Sequence, residues 1–177
     1  MNHLELPSFS DNGYINAVVE IPAGTNHKYE YNKQLLQFQQ DTRNGAPRMV
    51  EFLPYPVNYG FVPSTRMDKD RGGDGDPLDM LVIAEHIPTG TVLEVRPIGL
   101  LMLKDLGELD HKVLAIPLDP AKRIIRATNW VEFQQDYSAI RHILELFFLY
   151  YDGLGTMTLM GWGDEKAAIE EVQKWRF

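Results

Sequence analysis

The densest group of chemistry-bearing residues is a glycine-rich acidic segment, Asp68–Asp79. Three of its aspartates, Asp74, Asp76 and Asp79, fall within six residues, and neighbouring glycines let the backbone turn tightly. Carboxylates this close repel one another unless cations lie between them, and their hard oxygens favour Mg²⁺, Ca²⁺ or Mn²⁺. The segment indicates a metal site, although a solvated acidic loop explains it equally well when it is taken alone.

Counted from Asp68, the same segment superficially matches a calcium-binding EF-hand loop, with Gly73 at the sixth position. The twelfth position is Asp79, where glutamate is usual, and an EF-hand needs a helix on each side. Here Pro63 precedes the loop and an apolar, strand-like run, Leu81–Ile83, follows it. These departures disfavour a calcium loop of that type.

A second acidic segment, Lys104–Lys112, joins two predicted strands and is by itself typical of a polar hairpin loop. Two acidic loops at strand ends of one small sheet, however, can meet at a single mouth and form a site for several cations. Several hard cations with basic side chains is the arrangement that phosphoryl transfer requires. Four basic residues are candidates to meet an anion bound there: Lys28, Arg43, Arg48 and Lys112.

The aromatic segment Phe52–Phe61 offers the hydroxyls of Tyr55 and Tyr59 as donors to phosphate oxygens, or it forms an aromatic core strand with a proline turn. The five histidines show no metal-ligand spacing. The chain has no serine-hydrolase elbow, Walker loop or dinucleotide fingerprint.

Secondary structure must bring these segments together. Short apolar or alternating runs predict strands at Tyr14–Ile21, Lys28–Tyr31, Met49–Leu53, Met80–Ala84, Thr91–Lys104 and Val113–Ile116. The Arg96-Pro97 step predicts a bulge or an edge in the long strand. Apolar spacing then becomes helical, which predicts helices at about Ile140–Tyr151 and Asp164–Trp175. The order predicts one α+β domain over residues 1–177, a small curled sheet or barrel with two C-terminal helices outside.

The composition limits the classes of partner. A net charge of −8 disfavours non-specific binding to nucleic acid, and the apolar runs are too short to span a bilayer. Without cysteine there are no disulfides, thiolate metal sites or cysteine nucleophiles. We see no signal peptide at the N-terminus and expect a cytoplasmic protein without a membrane partner.

Five motifs, in order between Tyr14 and Trp162, resemble those of family I soluble inorganic pyrophosphatases. They are Val18-Val19-Glu20-Ile21-Pro22, Lys28-Tyr29-Glu30, Tyr55-Pro56-Val57-Asn58-Tyr59-Gly60, Asp74-Gly75-Asp76-Pro77-Leu78-Asp79, and Asp105 with Asp110 and Lys112. The resemblance implies a five-stranded OB-like β-barrel with helices outside. It also implies Mg²⁺-dependent hydrolysis of pyrophosphate to two phosphates by metal-activated water, with several Mg²⁺ ions per site or Mn²⁺ instead. A homo-oligomer is implied as well. A non-catalytic phosphate- or metal-binding relative that keeps the fold is the alternative.

The resemblance also implies roles for individual residues. Asp74, Asp79 and Asp110 hold a first metal, and Asp79 also reaches a second. Asp105 joins Asp110 around a metal that arrives with the substrate, and Glu20 lies near a further one. Asp76 assists the attacking water, and Glu30 shapes the cavity. Phosphate contacts are implied for five residues, with Tyr55 supporting the site: Lys28, Arg48, Tyr59, Lys112 and Tyr151.

Two positions depart from the family pattern. Arg48 lies one residue closer to Tyr55 than in much of the family. Tyr151 is followed by Asp152, where the family commonly has a lysine, and no basic residue occurs before Gly161-Trp162. We predict that Asp152 points away from the phosphate, that Gly153 and Gly155 redirect the chain, and that Arg71 or Arg43 supplies the missing positive charge.

Overall fold

A computed structural model describes residues 1–177 of the chain, which form eleven strands and three α-helices. The strands are β1 Ile15–Ile21, β2 Tyr29–Asn32, β3 Gln37–Gln40, β4 Thr42–Arg43, β5 Ala46–Pro47, β6 Asn58–Phe61, β7 Asp79–Val82, β8 Val92–Asp105, β9 Glu108–Leu109, β10 Lys112–Pro117 and β11 Met157–Gly163. The helices are α1 Trp130–Asp136, α2 Ser138–Tyr150 and α3 Glu165–Trp175. None of them combines the length and the apolar character needed to cross a membrane.

The main sheet closes on itself through β8. Its order is β1-β6-β7-β10-β8, and β8 returns to pair with β1, so that five strands form a ring; β9 and β11 pair with β8 outside it. Every neighbouring pair is antiparallel except β7 and β10. Because that pair is parallel, Asp79 and Lys112 lie directly opposite each other at the same end of the sheet.

Two apolar clusters fill the space between the ring and the helices. α2 buries Leu144, Phe147 and Phe148 in the first cluster, and α3 buries Val172 and Trp175 in the second. The helical spacing predicted most of these contacts correctly. Ile143 is an exception, because it lies on the outer side of α2 and remains 53% exposed.

Most predicted strands are present to within two residues. The predicted bulge is also present, since Leu114 pairs with Gly99 while the next residue, Ala115, pairs with Pro97. The strand predicted at Met49–Leu53 is wrong, because only Met49 forms an isolated bridge. The Val50 N–H donates to the Asn26 carbonyl at 2.8 Å, in a loop. Pro54 and Pro56, which have no N–H groups, keep a ladder from continuing beyond Leu53.

The prediction of two C-terminal helices misses α1 and β11. α1 has only seven residues, and its N-terminus is capped by Asn129, whose Oδ1 accepts from the Glu132 N–H at 3.0 Å. β11 contains Gly161 at φ 132°, next to a shift in its register with β8. A short helix and a glycine-interrupted strand both give weak periodic signals.

Candidate active site

A cavity of about 400 Å³ opens beside the end of the sheet where Asp79 and Lys112 pair. It collects eleven of the thirteen site residues predicted from the sequence: Glu20, Lys28, Glu30, Tyr59, Asp74, Asp76, Asp79, Asp105, Asp110, Lys112 and Tyr151. Arg48 and Tyr55 do not line it. The cavity therefore unites segments that are far apart in the chain.

The first acidic loop is folded back on Met67, and this places Asp74 and Asp76 at the cavity. The Met67 N–H donates to the Asp76 carbonyl at 2.8 Å, and the Gly75 N–H donates to the Met67 carbonyl at 2.7 Å. Gly73 is required there, because a Cβ at that position would lie 2.5 Å from the Met67 carbonyl oxygen. Asp74 Oδ1 accepts the Asp76 N–H at 2.8 Å, and no helix flanks the loop as an EF-hand would require.

The second acidic loop is hydrogen-bonded to the first. The Leu109 N–H donates to the Gly72 carbonyl at 2.7 Å, and the Asp110 N–H donates to the Leu103 carbonyl at 3.0 Å. Asp105 ends β8 and Asp110 precedes β10, so the two carboxylates belong to one hairpin. These contacts confirm the prediction that the two acidic loops come together at one end of the sheet.

Lys112 forms the buried centre of the site. Its ammonium lies 2.6 Å from Asp79 Oδ2 and 2.7 Å from Asp110 Oδ1, and its side chain is only 1% exposed. It also lies over the rings of Tyr59 and Phe148, 5.5 and 5.3 Å from their centroids. Although burial opposes the charged form, the two carboxylates raise the pKa of Lys112, so it remains a cation.

Three tyrosines form the aromatic wall behind this centre. The Tyr59 hydroxyl donates to Asp79 Oδ2 at 2.5 Å, and Tyr55 packs between Tyr59 and Tyr151, with centroids 5.5 and 6.1 Å away. Burial raises the pKa of Tyr59 well above its ordinary value and that of Tyr151 to about 12. Both phenols are therefore protonated near neutral pH and can donate hydrogen bonds. Tyr55 is 1% exposed, in keeping with a supporting position.

The β2–β3 hairpin forms the opposite side of the cavity. Lys28 Nζ lies 3.1 Å from Glu30 Oε1, so this pair shares a face of the hairpin. Glu20 Oε1 accepts the Tyr31 N–H at 2.8 Å, which ties β1 to the hairpin. Burial raises the pKa of Glu20 to about 8, and the nearby Asp79 carboxylate adds to the effect.

Two charged residues of the cavity, Lys33 and Glu108, are not among the site residues predicted from the sequence. Lys33 lies in the turn between β2 and β3, and its Nζ is 2.8 Å from Asp76 Oδ1. The turn carries a local signal, because Asn32 Oδ1 accepts the N–H groups of Gln34 and Leu35. That signal predicts a hairpin but not the direction of the lysine.

Arg48 and Asp152 form an ion pair with each other beside the cavity. Arg48 Nη2 lies 2.8 Å from Asp152 Oδ2, and Asp152 also meets Arg43 Nη2 at 3.1 Å. Asp152 does not line the cavity, and Gly153 follows it with φ 112°. Arg71 does not replace the missing positive charge, because its guanidinium stacks on Trp175 at 4.6 Å, away from the cavity.

The cavity carries far more negative than positive charge. It contains eight carboxylates but only three ammonium groups. Burial raises the pKa of Asp110 and of Asp74, because the ionised forms lose hydration, and the neighbouring Asp79 carboxylate raises both further. No three carboxylates converge closely enough to form a ready-made metal site. The all-oxygen donor set nevertheless fits Mg²⁺, which uses one or two carboxylates, retains water and binds substrate phosphates.

Comparisons with known proteins agree with this geometry. The sequence model of the family described as inorganic pyrophosphatase matches residues 17–176. The inorganic pyrophosphatase of Neisseria meningitidis serogroup B is 36% identical, over 98% of this chain and 96% of its own. That of Saccharolobus solfataricus is 35% identical, over 90% and 88%. The crystal structure of inorganic pyrophosphatase from Thermus thermophilus superposes with a TM-score of 0.83 at 31% identity, over 98% and 95%. By sequence and by structure, the chain belongs to the inorganic pyrophosphatase family.

Proposed function

We propose that the chain is a Mg²⁺-dependent inorganic pyrophosphatase that hydrolyses diphosphate to two orthophosphates by direct attack of water, without a covalent intermediate. The observation that carries this proposal is one cavity in which eight carboxylates face three lysines and two protonated tyrosines. A highly charged anion that arrives with bound cations fits this lining, because the carboxylates would hold the cations while the lysines and tyrosines would hold the anion. Membership of the family supports the same activity.

The metal-side carboxylates divide into two groups. Asp79 and Asp110, which contact the Lys112 ammonium, are proposed to hold a first metal together with Asp74, and Asp79 is proposed to reach a second as well. Asp105 and Glu20 also line the cavity. Asp105 is proposed to join Asp110 around a metal that comes with the substrate, and Glu20 to lie near a further one. Bound Mg²⁺ would neutralise phosphate oxygens and acidify a water molecule, and Mn²⁺ offers similar chemistry.

The cationic and phenolic groups of this chain bind and orient the anion. Lys112 and Lys28 supply charge, and Tyr151 donates a hydrogen bond to a phosphate oxygen. Tyr59 would donate another by turning its single O–H from Asp79 to the phosphate. Arg48, at the edge, supplies a further cation. Glu30 holds the Lys28 ammonium at 3.1 Å and so shapes this side of the cavity, while buried Tyr55 keeps the two tyrosines in place.

Asp76 is proposed to accept the proton of the attacking water. Its side chain is 66% exposed, so it remains accessible to solvent, and its position is fixed by the backbone of the first acidic loop. A carboxylate in hydrogen-bond reach of the water is what general-base assistance requires. Lys33, which holds Asp76 at 2.8 Å, would exchange this partner for the substrate.

The test is phosphate release from pyrophosphate by the purified chain with Mg²⁺, with Mg²⁺ plus chelator, and with a phosphomonoester. We expect rapid release only from pyrophosphate and only with free Mg²⁺. No release by folded protein with excess Mg²⁺ would contradict the enzyme and favour a non-catalytic phosphate- or metal-binding relative.

We propose further properties of the chain. The five-strand ring supports an OB-like barrel, and the two clusters shared by ring and helices support one domain over residues 1–177. Exposed Ile143, Leu146 and Tyr150 on α2 support a homo-oligomer, which light scattering would test. The net charge of −8 supports a protein without nucleic-acid partners. The lack of cysteine supports a reducing, cytoplasmic location. No membrane partner is proposed.

A further inference from the structure

A four-membered charge cluster lies outside the cavity at the C-terminal end of α2. Arg48 Nη1 donates to Asp41 Oδ2 at 3.1 Å, and Arg48 Nη2 lies 2.8 Å from Asp152 Oδ2. Arg43 Nη2 donates to both oxygens of Asp152, at 3.1 and 3.3 Å. Two arginines and two aspartates therefore alternate, and each aspartate meets Arg48.

The cluster joins two segments that each carry a residue of the cavity. Asp152 directly follows Tyr151, whose N–H donates to the Phe147 carbonyl at 2.8 Å and continues α2. On the other side, the Arg48 carbonyl accepts the Lys28 N–H at 3.1 Å, and the Lys28 carbonyl accepts the Asp41 N–H at 2.8 Å. The strap Asp41–Arg48 thus lies between cavity residue Lys28 and the end of α2.

Apart from these contacts, the strap has little to hold it. Every residue from Thr42 to Pro47 is exposed, and its two short strands pair only with each other. Arg48, by contrast, is only 16% exposed and Asp152 is 32% exposed. Although burial alone would raise it, the pKa of Asp152 is held below its ordinary value by Arg48 and Arg43. The pair is therefore ionised and partly shielded from water.

We propose that Asp152 is a positioning residue, which fixes the guanidinium of Arg48 beside Lys28 and Tyr151 so that its unused N–H groups meet a phosphate oxygen at the cavity edge. This inference rests on the proposed function. It explains how an aspartate is tolerated next to a cavity that binds an anion: the carboxylate faces Arg48 and Arg43, which neutralise its charge. An arginine has five N–H donors, so two carboxylates leave donors for a phosphate.

The experiment measures KM and kcat for magnesium pyrophosphate in Asp152→Asn and Asp152→Ala. We expect KM to rise about tenfold, which corresponds to about 1.4 kcal/mol, while kcat changes less than about threefold. Asp152→Lys, which places like charges beside Arg48, should raise KM further. Asp136→Asn is the matched control, because Asp136 is exposed and forms no ion pair, and it should leave KM unchanged. Thermal unfolding of every variant monitors folding.

A double-mutant cycle identifies the residue through which Asp152 acts. In an Arg48→Ala background, Asp152→Ala should change KM by less than about twofold, since the group that it positions is gone. Arg43→Ala should have a smaller effect than Asp152→Ala, because Arg43 is 57% exposed. An equal effect of Asp152→Ala with and without Arg48 would overturn the proposal, as would a KM within twofold of wild type or a lower KM in Asp152→Lys.

Failure of the proposed function is distinguishable from failure of this inference. If the wild-type chain releases no phosphate from pyrophosphate, the proposed pyrophosphatase activity is contradicted. The same variants are then compared by calorimetric binding of inorganic phosphate, where Asp152→Asn should weaken binding about tenfold only when Arg48 is present. Unchanged phosphate affinity would overturn the positioning role.

Discussion

Replacing Lys112 by methionine should destabilise the chain strongly in the absence of metal. Methionine nearly preserves the volume of the side chain and its packing against Tyr59 and Phe148, but it removes the ammonium that lies 2.6 and 2.7 Å from Asp79 and Asp110. Both carboxylates would then share a poorly solvated space without a cation, and only Asp79 would keep a hydrogen bond, from the Tyr59 hydroxyl. Breaking a buried ion pair in this way costs about 3–5 kcal/mol.

The structure favours the lower end of that range. Asp79 and Asp110 keep 19% and 17% of their side chains exposed, so water relieves part of the cost. We therefore expect a loss of about 3 kcal/mol, or a fall in Tm of roughly 6–12 °C for a chain of this size. The same vacated space favours a divalent cation, so Mg²⁺ should stabilise the Lys112→Met variant more than the wild type.

The assay is urea and thermal unfolding of both proteins in chelator and in excess Mg²⁺. Lys122→Met is the control, because Lys122 is exposed and has no ion pair, and it should change stability by less than about 0.5 kcal/mol. Equal stability of Lys112→Met and wild type in chelator would refute the argument that the ammonium compensates the two carboxylates. Equal responses to Mg²⁺ would refute the placement of the metal between them.

Three further outcomes follow from the geometry. Gly60→Ala should cost about 3 kcal/mol in urea unfolding, because the new Cβ would lie 1.8 Å from the Val18 carbonyl oxygen; a change below about 1 kcal/mol would contradict the close approach of β1 and β6 at this point. Burial alone would raise the pKa of Glu171, but the hydrogen bond with His111 holds it below the ordinary value of 4.5. The ionised carboxylate therefore stabilises the fold above pH 4.5, and this contribution is lost as the pH falls through the lowered pKa. Glu171→Gln should therefore lower Tm at pH 7, and the difference in Tm from wild type should shrink in acid. A difference that stays constant with pH would show that the charge of Glu171 does not contribute to stability. Asp79→Asn should weaken Mg²⁺ binding measured by calorimetry, while Asp76→Asn should mainly lower kcat. If both variants only bound metal more weakly, the general-base role of Asp76 would be refuted.

Sequence patterns predicted the acidic half of the site well. Asp74, Asp76 and Asp79 are close in the chain, so tight glycine turns leave few ways to separate them. Asp105 and Asp110 flank one hairpin, and the remaining step, the meeting of the two loops, depended only on strand ends that share one end of a sheet. Local spacing therefore determined most of this arrangement.

The basic residues of the site were harder to predict because each comes from a separate segment of the chain. Lys33 enters the site through the direction of a hairpin turn, and Arg48 is turned toward Asp152 by a contact 104 positions along the chain. Neither arrangement leaves a periodic signal. The wrong strand at Met49–Leu53 has a similar origin, because its apolar residues suggested a ladder while the Val50 N–H bonds to the carbonyl of Asn26, in a loop distant in the chain.

The ring closure through β8 has a consequence for biosynthesis. Ile15 of β1 pairs with Val95 of β8, so about 80 residues must be made before this contact exists. At about 5–20 residues per second, the apolar face of β1 waits roughly 4–16 seconds on the ribosome without its β8 partner. Such distant pairings also slow folding of the finished chain, to about milliseconds to seconds. Destabilising changes in β8 should therefore reduce the yield of folded protein in cells more than equal losses of stability in α3, which is made last.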